Sequence, residues 1–179
     1  MKNLLYILII GCILWIVSEI FEIVSSGFGV PGLLITIAAF LLVAIGVWSI
    51  HKQQAPKKNT LSLIGVLMLM VSLIIFAIIS TQMMIAMLSN TTHEYVEGPL
   101  FITGAALVSL GSILMGVSVI RIKYFPQWTG IPLIVLPIVT ILVEALSLPI
   151  MIQNLVNILL ASVLIFMSFY SLKQLKSTT

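Results

Sequence analysis

Six apolar stretches take up nearly all of this 179-residue chain, at about 3–24, 32–50, 61–88, 99–120, 130–148 and 151–172. The hydrocarbon core of a bilayer is about 30 Å thick, and a helix crosses it with about 20 apolar residues. Backbone N–H and C=O groups find no partners in lipid, so such stretches span as helices. Only 7% of the residues are charged and 61% are hydrophobic, whereas a soluble domain carries about 25% charged residues to face water. The sequence therefore predicts an all-α integral membrane bundle of about six transmembrane helices. Residues 1–179 read as a single transmembrane domain, because no polar stretch is long enough to fold apart. The third stretch, about 42 Å long as a helix, has to tilt or protrude. The fifth contains Pro132, suited to a first helical turn, and Pro137, which kinks a helix, and it ends before Pro149.

Charge sets the orientation. There is no Asp, and the acids are Glu19, Glu22, Glu94, Glu97 and Glu144. The bases are Lys2, Lys52, Lys57, Lys58, Arg121, Lys123, Lys173 and Lys176, with His51 to Asn59 forming a basic connection between the second and third stretches. With six spans, every base falls on one side, and every acid falls on the other side or in that half of the membrane. Short loops rich in Lys and Arg stay in the cytoplasm. Both termini are therefore expected there, in a multi-pass protein of a bacterial-style cell membrane. The bases serve topology, so no nucleic-acid partner is expected. Residues 1–26 also have the outline of a cleaved signal peptide, with Lys2, an apolar run and small residues at Ser25, Ser26 and Gly27. That run is long for a signal core and carries Glu19 and Glu22, so it is read as a helix. Asn90-Thr91-Thr92 fits a glycosylation acceptor pattern too short and common to carry weight. Gly29-Val30-Pro31 and Gly130-Ile131-Pro132 open the second and fifth stretches, a faint echo of the inverted repeats of transporters. Gly-x-Pro is equally a good way to begin any helix.

The most informative polar residues lie in the outer half of the membrane. Glu19 and Glu22 are three apart and share a helix face. Glu144 lies about one turn from the outer end of the fifth helix, Gln153, Asn154 and Asn157 begin the sixth, and Gln82 lies toward the outer end of the third. A charge at mid-membrane costs roughly 2.5–3.5 kcal/mol on insertion scales, so such residues turn toward the bundle interior or a wet cavity. Together they define a candidate polar pocket open to the outside, with Glu144 as its first candidate. Carboxylates with amides suit a cation, a protonated amine or a proton relay, and every base lies on the far side. The competing explanation is structural: Glu19 and Glu22 reach the interface and Asn154 caps the last helix.

The fourth stretch carries small residues, Ala105, Ser109, Ser112 and Gly116, at spacings that align them on one face. Small residues let backbones approach closely in lipid, so this face reads as a packing seam within the bundle or between subunits, widened by Gly104 and Gly111. Other chemistry is excluded by residue type. Cys12 is the only cysteine, which rules out an internal disulfide and paired-thiol chemistry. His51 and His93 are read as lying in loops on opposite sides, so they form neither a dyad within the bilayer nor a haem pair. Without Asp or a His-Glu-x-x-His motif, no metal site and no cofactor are expected. Trp48, Tyr124, Trp128 and Tyr170 fit anchors at the inner interface. Met68, Met70, Met83, Met84 and Met87 fit gap-filling.

The segment Arg121-Ile122-Lys123-Tyr124-Phe125-Pro126-Gln127-Trp128-Thr129-Gly130 places a Pro-x-Trp-x-Gly turn after a basic helix end. In this it resembles uncharacterised small bacterial multi-pass membrane proteins, a resemblance that implies no activity. Gly130 is expected to allow a tight reversal there. The size and six-helix plan also resemble the substrate-binding subunits of bacterial vitamin importers. Those typically carry small-residue motifs on the first helix, where this chain has only Gly11 and Cys12. The expected function is non-enzymatic: binding, sensing or moving a small cationic or neutral solute through the outward-facing pocket. The alternative is an accessory or immunity-type protein acting through helix contacts with the lipid-embedded part of a partner or with a second copy of itself.

Overall fold

In the computed structural model the described residues are 1–25, 27, 29–54, 59–89 and 98–177. Ser26, Lys57, Lys58, His93, Glu94, Glu97 and the Asn90-Thr91-Thr92 motif lie outside them. The elements are α1 (Lys2–Ser25), α2 (Val30–Gln54), α3 (Thr60–Leu88), α4 (Pro99–Ile122), a 3-10 turn (Gln127–Thr129), α5 (Gly130–Ala145) and α6 (Ile150–Ser177), with no strand among the described residues. All six apolar stretches are helices long and apolar enough to cross a membrane.

The ends follow local chemistry. The Asn59 side chain caps α3 by accepting from the Ser62 backbone N–H at 3.3 Å. Pro99 opens α4, where its missing N–H costs nothing. Three expectations are corrected. His51 and Lys52 sit in the last turn of α2, not in a loop, because the helix runs on to Gln54. Gly130 is helical (φ −74°) and makes no reversal; the chain turns at Lys123, whose φ is 58°, and at the turn before α5. α5 stops at Ala145, earlier than expected, with Ser147 at φ 49° and Pro149 next. With the 3-10 turn it makes a span of 19 residues, Gln127–Ala145.

Each helix packs on its neighbours in sequence, and α6 returns to pack on α1, so the six form a closed ring. Alternation of direction gathers Lys2, Lys52, Arg121, Lys123, Lys173 and Lys176 at one end, here called the basic end. Glu19, Glu22 and Glu144 lie toward the other, acidic end. The outward faces are as apolar as the interior: Ile10, Ile13, Val17 and Ile20 line the exposed side of α1, and Leu67, Val71, Ile74 and Ile78 that of α3. Water would penalise such a surface and lipid does not.

The basic half of the ring is filled. Leu8, Val43, Val66, Met115, Leu133 and Met167 are buried together there. Glycines set the helix separations. A Cβ added at Gly46 would lie 2.6 Å from the Leu8 backbone, one at Gly65 would lie 2.8 Å from the Gly111 carbonyl, and one at Gly116 would lie 2.7 Å from the Gly130 carbonyl. At the same end the Gln54 side-chain carbonyl accepts from Ser118 (2.5 Å) and from Asn59 (3.0 Å), and Asn59 also donates to Ser118. Tyr124 donates to Gln53 at 2.7 Å. Burial pushes the Tyr124 phenol above its ordinary pKa, so it stays a neutral donor. Trp128 packs on Phe166 with ring centroids 4.7 Å apart and ring planes tilted by 53°.

Gly46→Ala is expected to destabilise the protein by about 1–3 kcal/mol, the usual range for overpacking, because the new methyl meets backbone. Gly29→Ala, where an added Cβ has only an ordinary 3.7 Å contact, is expected to be neutral. Thermal unfolding of both variants in detergent checks the contrast; equal stability of the two would refute it.

Candidate functional site

The acidic half of the ring is hollow. A cavity of about 590 Å³ lies between the helices, with every one of α1–α6 contributing to its wall. Its floor is Trp15, Leu73, Val108, Ser112 and Leu160. Below that floor only about 10 Å³ of space remains among Val43, Val47, Leu69, Met115 and Leu164. The cavity is a cup closed toward the basic end.

Two carboxylates sit on its wall. Glu19 and Glu22 are 5% and 8% exposed, one turn apart on α1. Glu19 Oε1 accepts from Trp15 Nε1 at 2.7 Å, a contact built into one turn of helix, and from Asn157 Nδ2 at 3.0 Å. Glu22 Oε2 accepts from Asn154 Nδ2 at 3.0 Å. The antiparallel run of α6 against α1 explains the register: three residues forward on one helix meet three residues back on the other. Asn154 is therefore no helix cap; it is 2% exposed inside α6 and holds a carboxylate.

Other expected residues fall differently. Glu144 lines the cavity but at its exposed rim, where Gln153 donates to it at 3.4 Å. Gln82 is absent from the wall: Ile79, Ser80 and Met83 of α3 line it, and the 3.6-residue period turns Gln82 away from that face. The α4 seam divides. Ala105, Ser109 and Ser112 line the cavity, while Gly116 packs on Gly130 of α5. Only Gly116, with Gly111 against Gly65, makes the close backbone contact expected of the stripe. The Ser112 hydroxyl is buried on the floor with no hydrogen-bond partner among the described residues.

Sequence reading missed the aromatic part of the wall. Trp15, Phe40, Phe76 and Phe101, one from each of α1–α4, form a row with successive ring centroids 5.6, 5.9 and 5.8 Å apart. Each residue looks like ordinary apolar filling within its own helix, and only the ring brings them together. Trp15 alone was detectable, four residues before Glu19 with an N–H that needs an acceptor in lipid. Among the described residues, no three His, Cys, Asp or Glu side chains group as metal ligands would.

The six spans and their lipid-facing surface define an integral multi-pass membrane protein. No protein-family profile, curated protein or solved structure matches the chain.

The carboxylate–amide pairs predict an asymmetric mutational pattern. Asn154→Leu leaves Glu22 without its donor and is expected to cost about 1–3 kcal/mol. Asn157→Leu leaves Glu19 still bonded to Trp15 and is expected to cost less. Combining Asn154→Leu with Glu22→Leu is expected to recover much of the loss, since removing both partners strands neither. A double-mutant cycle on thermal stability measures this, and strictly additive effects would argue against the pairing.

Proposed function

We propose that this chain binds a small cationic or neutral solute in the cavity, as a non-enzymatic binding, sensing or carrier protein of a cell membrane. In this reading the acidic end faces outside and both termini lie in the cytoplasm. The observation that carries it is the pair of buried carboxylates on the wall of a largely apolar cup, each held by an amide and, among the described residues, neither by a base. Ionisable groups within a membrane are expensive to keep and mark pathways or sites. A volume of about 590 Å³ falls within the range of roughly 300–1,000 Å³ typical of small-molecule sites. Among the described residues the wall offers carboxylates, amides and hydroxyls but no His, Lys or Arg, which supports binding over catalysis. The closed floor favours a site that holds its ligand over an open conduit. The α4 stripe, on which the accessory-protein alternative rests, is turned toward the cavity and α5 and so does not favour it.

Thermal stability of the purified protein is to be followed across a panel of cations, amines and vitamins. A ligand at about a hundred times its dissociation constant adds about 2.7 kcal/mol to the stability of the state it binds. A stabilising compound is expected in the wild type, with its effect lost in the Glu19→Gln/Glu22→Gln double variant and only weakened in Glu144→Gln at the rim. A flat response across the panel would sink the proposal.

Orientation is tested separately on a Cys12→Ser background. Ser147→Cys is expected to react with an impermeant maleimide on intact cells, and Lys176→Cys only after permeabilisation. The reverse pattern would invert the topology.

A further inference from the structure

Resting on that reading, we propose that the ligand is a lipophilic organic cation, an aromatic or branched body bearing one positive charge, which reaches the carboxylates from the bilayer through a gap between α4 and α5. Four observations converge on this class.

The first is the aromatic row. Trp15, Phe40, Phe76 and Phe101 present rings from four successive helices to one cavity. Ring faces attract cations within about 6 Å and stack on flat apolar bodies. A hydrated inorganic cation gains little from such a wall and would need several oxygen ligands at fixed distances. The second is charge. Among the described residues Glu19 and Glu22 accept only from neutral N–H donors, so any negative charge on them is not balanced. A cationic head supplies what the amides cannot.

The third is the Ser112 hydroxyl, 1% exposed on the floor beside Trp15 and without a hydrogen-bond partner among the described residues. Of the buried polar atoms in that condition it is the one on the cavity wall, where a ligand or a water can reach it. The fourth is the side opening. The lining residues of α1 to α3 are buried, such as Glu19, Thr36 and Ile79, or partly buried, such as Phe40, Phe76 and Met83, and none is exposed. On α4 and α5 the deep lining residues Ser109, Ser112 and Pro137 are buried too, but Ile102 is 64% and Ile141 51% exposed, and Ala106 is exposed as well. These two helices meet closely at the basic end, where Gly116 lies against Gly130, whereas the glycine of α4 nearer the acidic end, Gly104, packs on Ile75 and Phe76 of α3. A ligand that partitions into lipid arrives at this gap at high local concentration.

The test uses the full-length protein in lipid nanodiscs and radiolabelled tetraphenylphosphonium in equilibrium and rapid-filtration binding. Saturable binding is expected, with affinity at least tenfold weaker in Glu19→Gln/Glu22→Gln. Glutamine can accept the same hydrogen bonds, so that variant is expected to fold. Phe76→Leu, which leaves the carboxylates alone, is a second variant expected to weaken binding severalfold. Tetramethylammonium and neutral triphenylphosphine oxide are expected to compete poorly, and Ala106→Trp, filling the gap, to slow association at least fivefold. Unchanged affinity in both the carboxylate and the Phe76 variants overturns the inference, and unchanged association in Ala106→Trp overturns the side route. Stabilisation by a hydrophilic solute without tetraphenylphosphonium binding refutes the ligand class and leaves the cavity reading standing. No response to any compound, tetraphenylphosphonium included, ends both.

Discussion

Two amides on the last helix meet two carboxylates on the first, and on that contact the ring of helices depends. Lipid tails are as apolar as leucine, so hydrophobicity does not drive helices together within a bilayer; close packing and interhelical hydrogen bonds do. Five of the six junctions join helices adjacent in sequence, which short connections bring together in any case. The junction of α1 with α6 joins residues more than a hundred positions apart. Asn154 with Glu22 and Asn157 with Glu19 are its specific contacts at the acidic end, as Leu5 and Ile9 against Leu172 are at the basic end. Slipping α6 by one residue would turn both amides off the carboxylates at once.

The same ring is tight at one end and hollow at the other, and the residues explain the difference. Glycine contacts sit in the basic half: Gly46 on Leu8, Gly65 on Gly111, Gly116 on Gly130. Where backbones approach that closely, branched side chains from six helices fill the axis. Toward the acidic end the row of four aromatic rings occupies the inner face instead, and α5 is short and carries Pro137 inside it. A helix that spans with so few residues cannot also seal both of its flanks, and its last residues are exposed. The cavity follows from this taper.

Much of the fold was legible because lipid makes few demands and makes them everywhere. Any run of about 20 apolar residues must be a helix, and six of them alternate. Element ends were less legible, since His51 and Lys52 continue α2 in polar surroundings that permit helix as readily as loop. The site was legible in its costliest members. Glu19, Glu22, Asn154 and Asn157 stand out because polar groups in lipid need reasons. Their pairing was not, because it depends on which helix closes the ring. Gln82 was misplaced for want of a helix phase, a choice that a uniformly apolar α3 does not reveal. The α4 stripe was read as a seam, although small residues serve equally to leave room for a cavity. Ser112 does that on the same face whose next turn, at Gly116, touches α5.

Asparagine, rather than lysine or arginine, stands opposite both carboxylates. A basic partner would form an ion pair, and in a low-dielectric interior that pair would neutralise the wall and hold itself shut. An amide instead satisfies lone pairs and fixes side-chain direction without supplying charge. The wall keeps its capacity for negative charge and directs it into a space lined by aromatic faces, whose quadrupoles share the same preference. In the reading proposed above, neutral solutes find hydroxyls and amides enough to bind but nothing to balance a carboxylate. A cation with an apolar body complements both the carboxylates and the aromatic faces of that wall.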